Sequence, residues 1–280
     1  MTPRELLRAL TAELRNAGVP DPEIDASLLL SHVTGQNALN LRLDSWSQIS
    51  AADEAAVRCL CDQRKVRIPL QYLTGVQSFL GRDFHVDDRV LIPRPETELL
   101  AELAIVRLKE YASCKVRALD LCCGSGCLAV SMALAVPHAD VHATDLSEGA
   151  LAVTRMNADA HSAGVTLHQG DLFDALPDGT RYHLIVSNPP YIPAQDCLTL
   201  QAEVLREPHM ALDGGADGFD FYRRIAREAP RFLHDDGTLL MEVGHDQAEA
   251  VMRLCTNAGL KPVAIHEDYQ HIQRMVEARL

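Results

Sequence analysis

Tyr182-His183-Leu184-Ile185-Val186-Ser187-Asn188-Pro189-Pro190-Tyr191 is an apolar run that stops abruptly at an Asn-Pro-Pro-Tyr corner. A short stretch rich in Leu, Ile and Val with such an ending reads as a buried parallel strand. Neither proline offers a backbone N–H and each fixes its own φ, so the chain leaves the sheet as a stiff loop. The loop presents one side-chain amide (Asn188), carbonyl acceptors without competing donors, and one aromatic ring (Tyr191). Two acceptors can take both hydrogens of a planar NH2 group while the ring lies against its flat face. An ordinary proline-rich turn after a strand is the plainer alternative.

On either side of this strand the pattern alternates. Strands are expected near residues 116–121, 139–144, 165–168, 183–187, 237–243 and 261–267, with helices between them. Such alternation builds right-handed βαβ units and a mostly parallel sheet. The end, His266 to Ala278, is expected to hold two antiparallel strands joined by a short turn.

Upstream, residues 1–70 read as a small helical bundle suited to binding a substrate surface. Thr2-Pro3-Arg4-Glu5 has the capping-box pattern with Pro at the first helical position. Leu6, Leu7, Leu10 and Leu14 recur on one face before Gly18. Asp21-Pro22 opens a second helix that closes near Gly35, and Ser50-Ala51-Ala52-Asp53 opens a third. Residues 71–93 read as a β-hairpin linker. Pro93-Arg94-Pro95-Glu96-Thr97-Glu98 is a rigid loop that feeds a helix running to about Tyr111 and opens the catalytic domain, 94–280.

The chain has 280 residues, 47% of them hydrophobic and 23% charged, which suits a large core plus a smaller domain. No run approaches the ~18 apolar residues of a membrane span, and the polar start does not resemble a signal peptide, so a soluble cytoplasmic protein is expected. A formal charge of −13 counts against a generic grip on phosphate backbones. Arg64-Lys65-Val66-Arg67 is a small basic candidate, with a solvated helix end as its plain reading. Eight irregularly spaced cysteines suggest reduced thiols. Cys122-Cys123 and Cys127 lack the paired spacing of a zinc site, and no metal is expected.

Leu119-Asp120-Leu121-Cys122-Cys123-Gly124-Ser125-Gly126 ends the first strand of this domain in a glycine turn. Glycines there let a ligand approach the backbone and expose N–H groups at a helix start. Gly124-x-Gly126-x-x-Ala129 also satisfies the dinucleotide fingerprint, so the turn alone leaves a nicotinamide or flavin enzyme open. Asp145, at the end of the second strand, suits a pair of ribose hydroxyls, with a helix N-cap as the alternative. Asp171 is a candidate for an adenine amino group with Leu172 against the ring, or else an ordinary loop carboxylate. Hydride transfer calls for a proton donor at the fourth strand, whereas this chain offers an NH2 cradle. The combination therefore points to amino-group methylation from S-adenosyl-L-methionine.

At this point the sequence resembles the protein glutamine-N5 methyltransferases that modify peptide chain release factors. Gln71-Tyr72-Leu73-x-Gly75, Phe84-His85-Val86, Leu91-Ile92-Pro93-Arg94-Pro95-Glu96-Thr97-Glu98, Glu207-Pro208, Gly237-Thr238-Leu239 and Glu242-Val243-Gly244 followed by Gln247 stand in the family's order. Asn-Pro-Pro-Tyr alone is shared with adenine methyltransferases of DNA and RNA; Pro-Arg-Pro-Glu-Thr-Glu discriminates better. The family usually has Gly-Thr-Gly-Ser-Gly where this chain has Cys122 and Cys123 in the first two positions, a poor fit for Cys122 if that position needs positive φ. Sister enzymes acting on a ribosomal protein also carry Cys there but lack the Pro-Glu-Thr-Glu continuation. A tryptophan usual near the adenine pocket is Leu172 here.

The resemblance implies a class I, Rossmann-like α/β fold with a terminal antiparallel hairpin, and a target glutamine in a Gly-Gly-Gln loop. Asn188, Pro189, Pro190 and Tyr191 are then the catalytic corner. Cys122, Cys123, Gly124, Ser125, Gly126, Asp145, Asp171, Leu172 and Asn188 line the cofactor, and Arg94, Glu96, Glu98 and Glu207 are candidates for gripping the substrate loop. The partner is a release factor, with no nucleic acid required, and a monomer is expected. The competing readings are a glutamine methyltransferase acting on a ribosomal protein, an amino methyltransferase acting on adenine or guanine in RNA or DNA, and a non-catalytic adaptor that kept the fold.

Overall fold

Thr2 accepts the Glu5 N–H while the Glu5 carboxylate accepts the Thr2 N–H at 2.9 Å, so the capping box is complete. It opens α1 (Pro3–Asn16), with Leu6, Leu10 and Leu14 buried on one face. The computed structural model describes residues 1–44, 46–111 and 115–280. α2 (Pro22–Thr34) closes on Gly35 in the left-handed conformation, and α4 (Ala51–Lys65) is capped by the Ser50 hydroxyl. Two further helices, α3 (Ala38–Leu43) and α5 (Leu70–Thr74), are too short for periodicity to reveal. Leu6, Leu10, Leu14, Leu29, Leu30, Leu41 and Val57 share one core.

Met1–Val76 and Gln201–Arg206 form one compact unit, and Gln77–Leu200 with Glu207–Leu280 the other. Ion pairs explain why so distant a segment joins the helices. Glu203 accepts from Arg64 Nη2 at 2.8 Å and from Arg67 Nε and Nη2 at 2.7 and 2.6 Å, while Arg64 Nε donates to Asp25 at 2.7 Å. Burial alone would raise the Glu203 carboxyl, but Arg67 and Arg64 override it and hold it at about 2. Lys65 pairs with Glu13 and Asp62. The basic run ends α4, and its charges are paired inside the unit.

β1 (Val76–Phe79), all but its first residue in the second unit, and β2 (Arg82–His85) form a hairpin with Leu80 and Gly81 at φ +48° and +71°, the signs of a type I′ turn. The hairpin occupies residues 76–85 and not the whole of 71–93. α6 (Pro95–Glu110) follows. β3 (Arg117–Leu121), α7 (Cys127–Ala135), β4 (Asp140–Asp145), α8 (Glu148–Ala160), β5 (Val165–Gln169) and β6 (Tyr182–Ser187) come next, then α9 (Asp220–Phe232), β7 (Leu233–Glu242) and α10 (Ala248–Asn257). β8 (Lys261–Glu267) and β9 (Gln273–Arg279) end the chain. The expected antiparallel pair is present but wider than His266 to Ala278: its first arm begins at Lys261, so that stretch holds only the end of β8, the turn and most of β9.

The sheet order is β5-β4-β3-β6-β7-β9-β8, parallel except for β9. This is the α/β architecture the sequence predicts. After β3 the chain winds outward to β5 and returns on the other side at β6. The loops leaving β3 and β6 therefore diverge and open a crevice at the strands' carboxyl ends. Leu119, Leu121 and Ile185 pack on one face of the sheet; Ala118, Ala143 and Val186 pack on the other.

Candidate active site

The glycine turn opens directly from β3. Cys122, Gly124 and Gly126 have φ of +61°, +54° and +78°. For Cys122 this left-handed conformation costs about 1–2 kcal/mol, so the position does demand what glycine supplies freely. Three bonds over-determine the turn. Cys123 N–H donates to Thr144 O at 3.0 Å, the Thr154 hydroxyl to Gly124 O at 2.9 Å, and Asn157 Nδ2 to Ser125 O at 2.8 Å. A Cβ on Gly126 would lie 2.5 Å from Thr154 Cγ2, which requires glycine there. Burial pushes the Cys122, Cys123 and Cys127 thiols up, the last to about 12, so they stay protonated. Among the described residues no cluster of His, Cys, Asp or Glu is arranged to hold a metal ion; Cys114 lies outside them.

Asp145 ends β4 beside this turn. Its Oδ2 accepts Gly124 N–H at 3.0 Å and its Oδ1 accepts Ser147 N–H at 2.9 Å. Burial raises its carboxyl, against those two bonds. The N-cap of α8 is Ser147 and not Asp145, so Asp145 is left to face the cleft, with a lone pair on each oxygen still able to accept. The neighbouring Thr144 hydroxyl is buried and meets no hydrogen-bond partner among the described residues. Such spare acceptors fit a ligand rich in hydroxyls. Asp171 pairs with Arg224 at 2.9 Å, and Leu172 forms an apolar wall.

Asn188 stands at the end of β6. Its Nδ2 donates to Thr97 Oγ1 at 3.1 Å, and Thr97 Oγ1 bonds Glu242 Oε2 at 2.7 Å. Glu242 is buried, and desolvation pushes its carboxyl up to about 7 against the pull of Thr97. From behind, Gln247 Nε2 donates to Tyr191 O at 3.0 Å while its Oε1 accepts Gly244 N–H at 2.9 Å. Tyr222 donates its hydroxyl to Glu242 O at 3.1 Å. The corner is therefore braced through its backbone by a second layer of side chains.

Cys122, Cys123, Gly124, Ser125, Asp145, Asp171, Leu172, Asn188, Pro190 and Arg94 all line one cleft, whose empty volume is about 1100 Å³ counting the part open to solvent. Gly126, Pro189, Tyr191, Glu96, Glu98 and Glu207 are not in its lining. Glu207 is buried, accepting Ile92 N–H at 2.9 Å and Arg94 Nη2 at 2.5 Å, so it pins the loop before α6. Glu98 accepts Leu80 N–H at 2.8 Å. Tyr191 packs against the core, and burial pushes its phenol up. Thr97, Glu242 and Gln247 carry no signal in the sequence beyond membership of the segments that stand in the family's order.

Residues 5–75 match the family model for the PrmC N-terminal domain, and residues 97–216 that for the methyltransferase small domain. A release factor glutamine methyltransferase from Geobacter sulfurreducens is 41% identical over 280 residues, covering 100% of this chain and 97% of its own length. A ribosomal protein uL3 glutamine methyltransferase from Burkholderia pseudomallei is 42% identical over 208 residues, 71% of this chain and 68% of its own. A crystal structure of a methyltransferase from Pyrococcus furiosus aligns with TM-score 0.52 at 17% identity, over 72% of this chain and 90% of its own, a likeness of fold.

Proposed function

The chain belongs to the family of release factor glutamine methyltransferases, and from that premise we propose that Asn188 holds the side-chain amide of a release-factor glutamine for methylation. The enzyme transfers a methyl group from S-adenosylmethionine to that glutamine. What supports the role of Asn188 is one observation: its carboxamide shares a cleft with the glycine turn and Asp145, and its Nδ2 is already committed to Thr97.

The cleft's residues fit the cofactor. Asp145 would take the ribose hydroxyls with its spare lone pairs. Leu172 would wall the adenine, with Asp171, paired to Arg224, near its amino group, and the turn from Cys122 to Ser125 would lie along the remainder. The bound cofactor supplies an electrophilic methyl carbon.

An amide nitrogen is a poor nucleophile because its lone pair is delocalised into the carbonyl. Asn188 Oδ1 and the Pro189 carbonyl each accept one hydrogen of the substrate NH2. That aims the nitrogen and favours the positive charge that builds on it. Orientation of this kind is worth up to ~7–11 kcal/mol, and acceptors matched to the developing charge add to it. Water takes the proton that the methylated nitrogen sheds, so no strong base is needed. Tyr191, outside the cleft's lining and packed against the core, holds the corner from behind, its carbonyl accepting from Gln247.

The target is the glutamine of a Gly-Gly-Gln loop, slender enough to enter beside Pro190 and Arg94. The helical unit reads a wider surface of the factor. The enzyme works in the cytoplasm as a monomer, without nucleic acid, in keeping with its −13 charge and its internally paired basic run. Incubating full-length release factor with enzyme and labelled cofactor, then sequencing peptides by mass spectrometry, should place one methyl on that glutamine. Methylation of ribosomal protein uL3 with none on the factor would overturn the assignment.

A further inference from the structure

The two ends of a carboxamide have nearly the same shape, so its hydrogen-bond partners decide which end faces a ligand. At Asn188 that choice is made by side chains outside the Asn-Pro-Pro-Tyr corner. Thr97 carries a single hydroxyl proton and lies 2.7 Å from Glu242 Oε2. An ionised carboxylate only accepts, so Thr97 must donate to it. The Thr97 oxygen then has only lone pairs left for Asn188, and Nδ2 meets it at 3.1 Å. Thr97 is 3% exposed and Glu242 2%, so water does not substitute for either partner.

We infer that Thr97 and Glu242 are positioning residues that lock the Asn188 carboxamide with its oxygen presented to the substrate amide. The inference rests on the role proposed for Asn188. A flipped Asn188 would set its own NH2 against the substrate NH2, donor against donor, and one of the two acceptors would vanish. The lock depends on the charge of Glu242. A protonated Glu242 can donate to Thr97, which can then donate to a reversed Asn188.

The groups around Glu242 bear on that charge. Burial, and Glu96 on α6, favour the neutral acid; Thr97, Arg274 on β9 and Asn188 favour the anion. Tyr191 and Tyr222 have phenols raised by burial, and the Cys127 thiol is held at about 12, so all three stay neutral. With the carboxyl at about 7, the locked orientation fades as pH falls below neutrality.

The test uses the full chain with full-length release factor, comparing wild type, T97V, T97S, E242Q and N188A. T97V and E242Q are expected to lose ~10–100-fold in kcat, the scale of losing a supporting hydrogen bond behind a functional side chain. Cofactor Kd, measured by calorimetry, should not move. T97S, which keeps the hydroxyl, should recover most of the rate lost in T97V. Across about pH 5.5 to 9 the wild-type kcat should fall on the acid side of neutrality, and E242Q should lack that limb. Wild-type kcat in T97V and E242Q beside an impaired N188A would overturn the lock while sparing the role of Asn188. Wild-type kcat in N188A would remove that role itself. Equal losses of kcat and cofactor affinity in E242Q would mark a merely structural contact and overturn the lock as well. Should T97V fail to fold, the E242Q pH profile decides alone.

Discussion

Asp120→Asn should make the stability of this protein less sensitive to pH. Asp120 is 0% exposed at the end of β3. Its Oδ2 accepts Ala129 N–H at 3.1 Å, while Oδ1 meets no partner among the described residues. Burial, with Asp145 adding repulsion and Ala129 opposing, pushes the carboxyl from 3.8 to about 8. A folded-state value above the unfolded one means that the stability is complete below about pH 4 and is lost as pH rises to about 8. Each pH unit in that window removes about 1.4 kcal/mol, so between pH 5 and 8 wild type should lose about 4 kcal/mol relative to the variant. Asparagine keeps the acceptor for Ala129 and carries no ionisable group. Urea unfolding of both proteins at pH 5 and pH 8 gives the difference directly. A gap that does not change with pH would refute the reasoning, because it would mean that Asp120 is ionised and satisfied throughout.

Three further outcomes are expected. N188A should cut kcat by ~10²–10³, the scale of removing one group that stabilises developing charge, with cofactor Kd measured by calorimetry nearly unchanged. D145A should do the reverse, raising cofactor Kd at least ~10-fold while kcat at saturating cofactor falls less, as initial rates over a cofactor series would reveal. E203A should destabilise the helical unit by about 3 kcal/mol in chemical denaturation, because Arg64 and Arg67 lose a shared carboxylate. The wild-type contribution of Glu203, whose carboxyl is held at about 2, should be present above pH ~4.5 and fade as pH falls towards 2.

Much of the cleft's lining was legible in the chain because its parts are local. The Asn-Pro-Pro-Tyr corner follows its strand without a gap, and proline chemistry fixes its character wherever it sits. The glycine turn and Asp145 stand at strand ends, the positions that winding order turns into a crevice. Other parts escaped for physical reasons. Arg94 and Glu207 read as free charges in one dimension, yet they pair at 2.5 Å. Thr97, lying between two acidic neighbours, looks unremarkable until Asn188 and Glu242 are brought to it.

Periodicity and turn chemistry were enough to specify an α/β sheet with a glycine turn and a proline-stiffened corner after the fourth strand, since hydrophobic spacing and fixed φ angles act over a few residues. Only the tertiary structure decided what the Asn188 amide bonds to and which carboxyls burial raises. Thr97 meets Asn188 and Glu242 across 91 and 145 residues of chain. The carboxyls of Asp120 and Glu242 are raised because folding removes water from them. Neither long-range proximity nor desolvation exists until the sheet has closed around them.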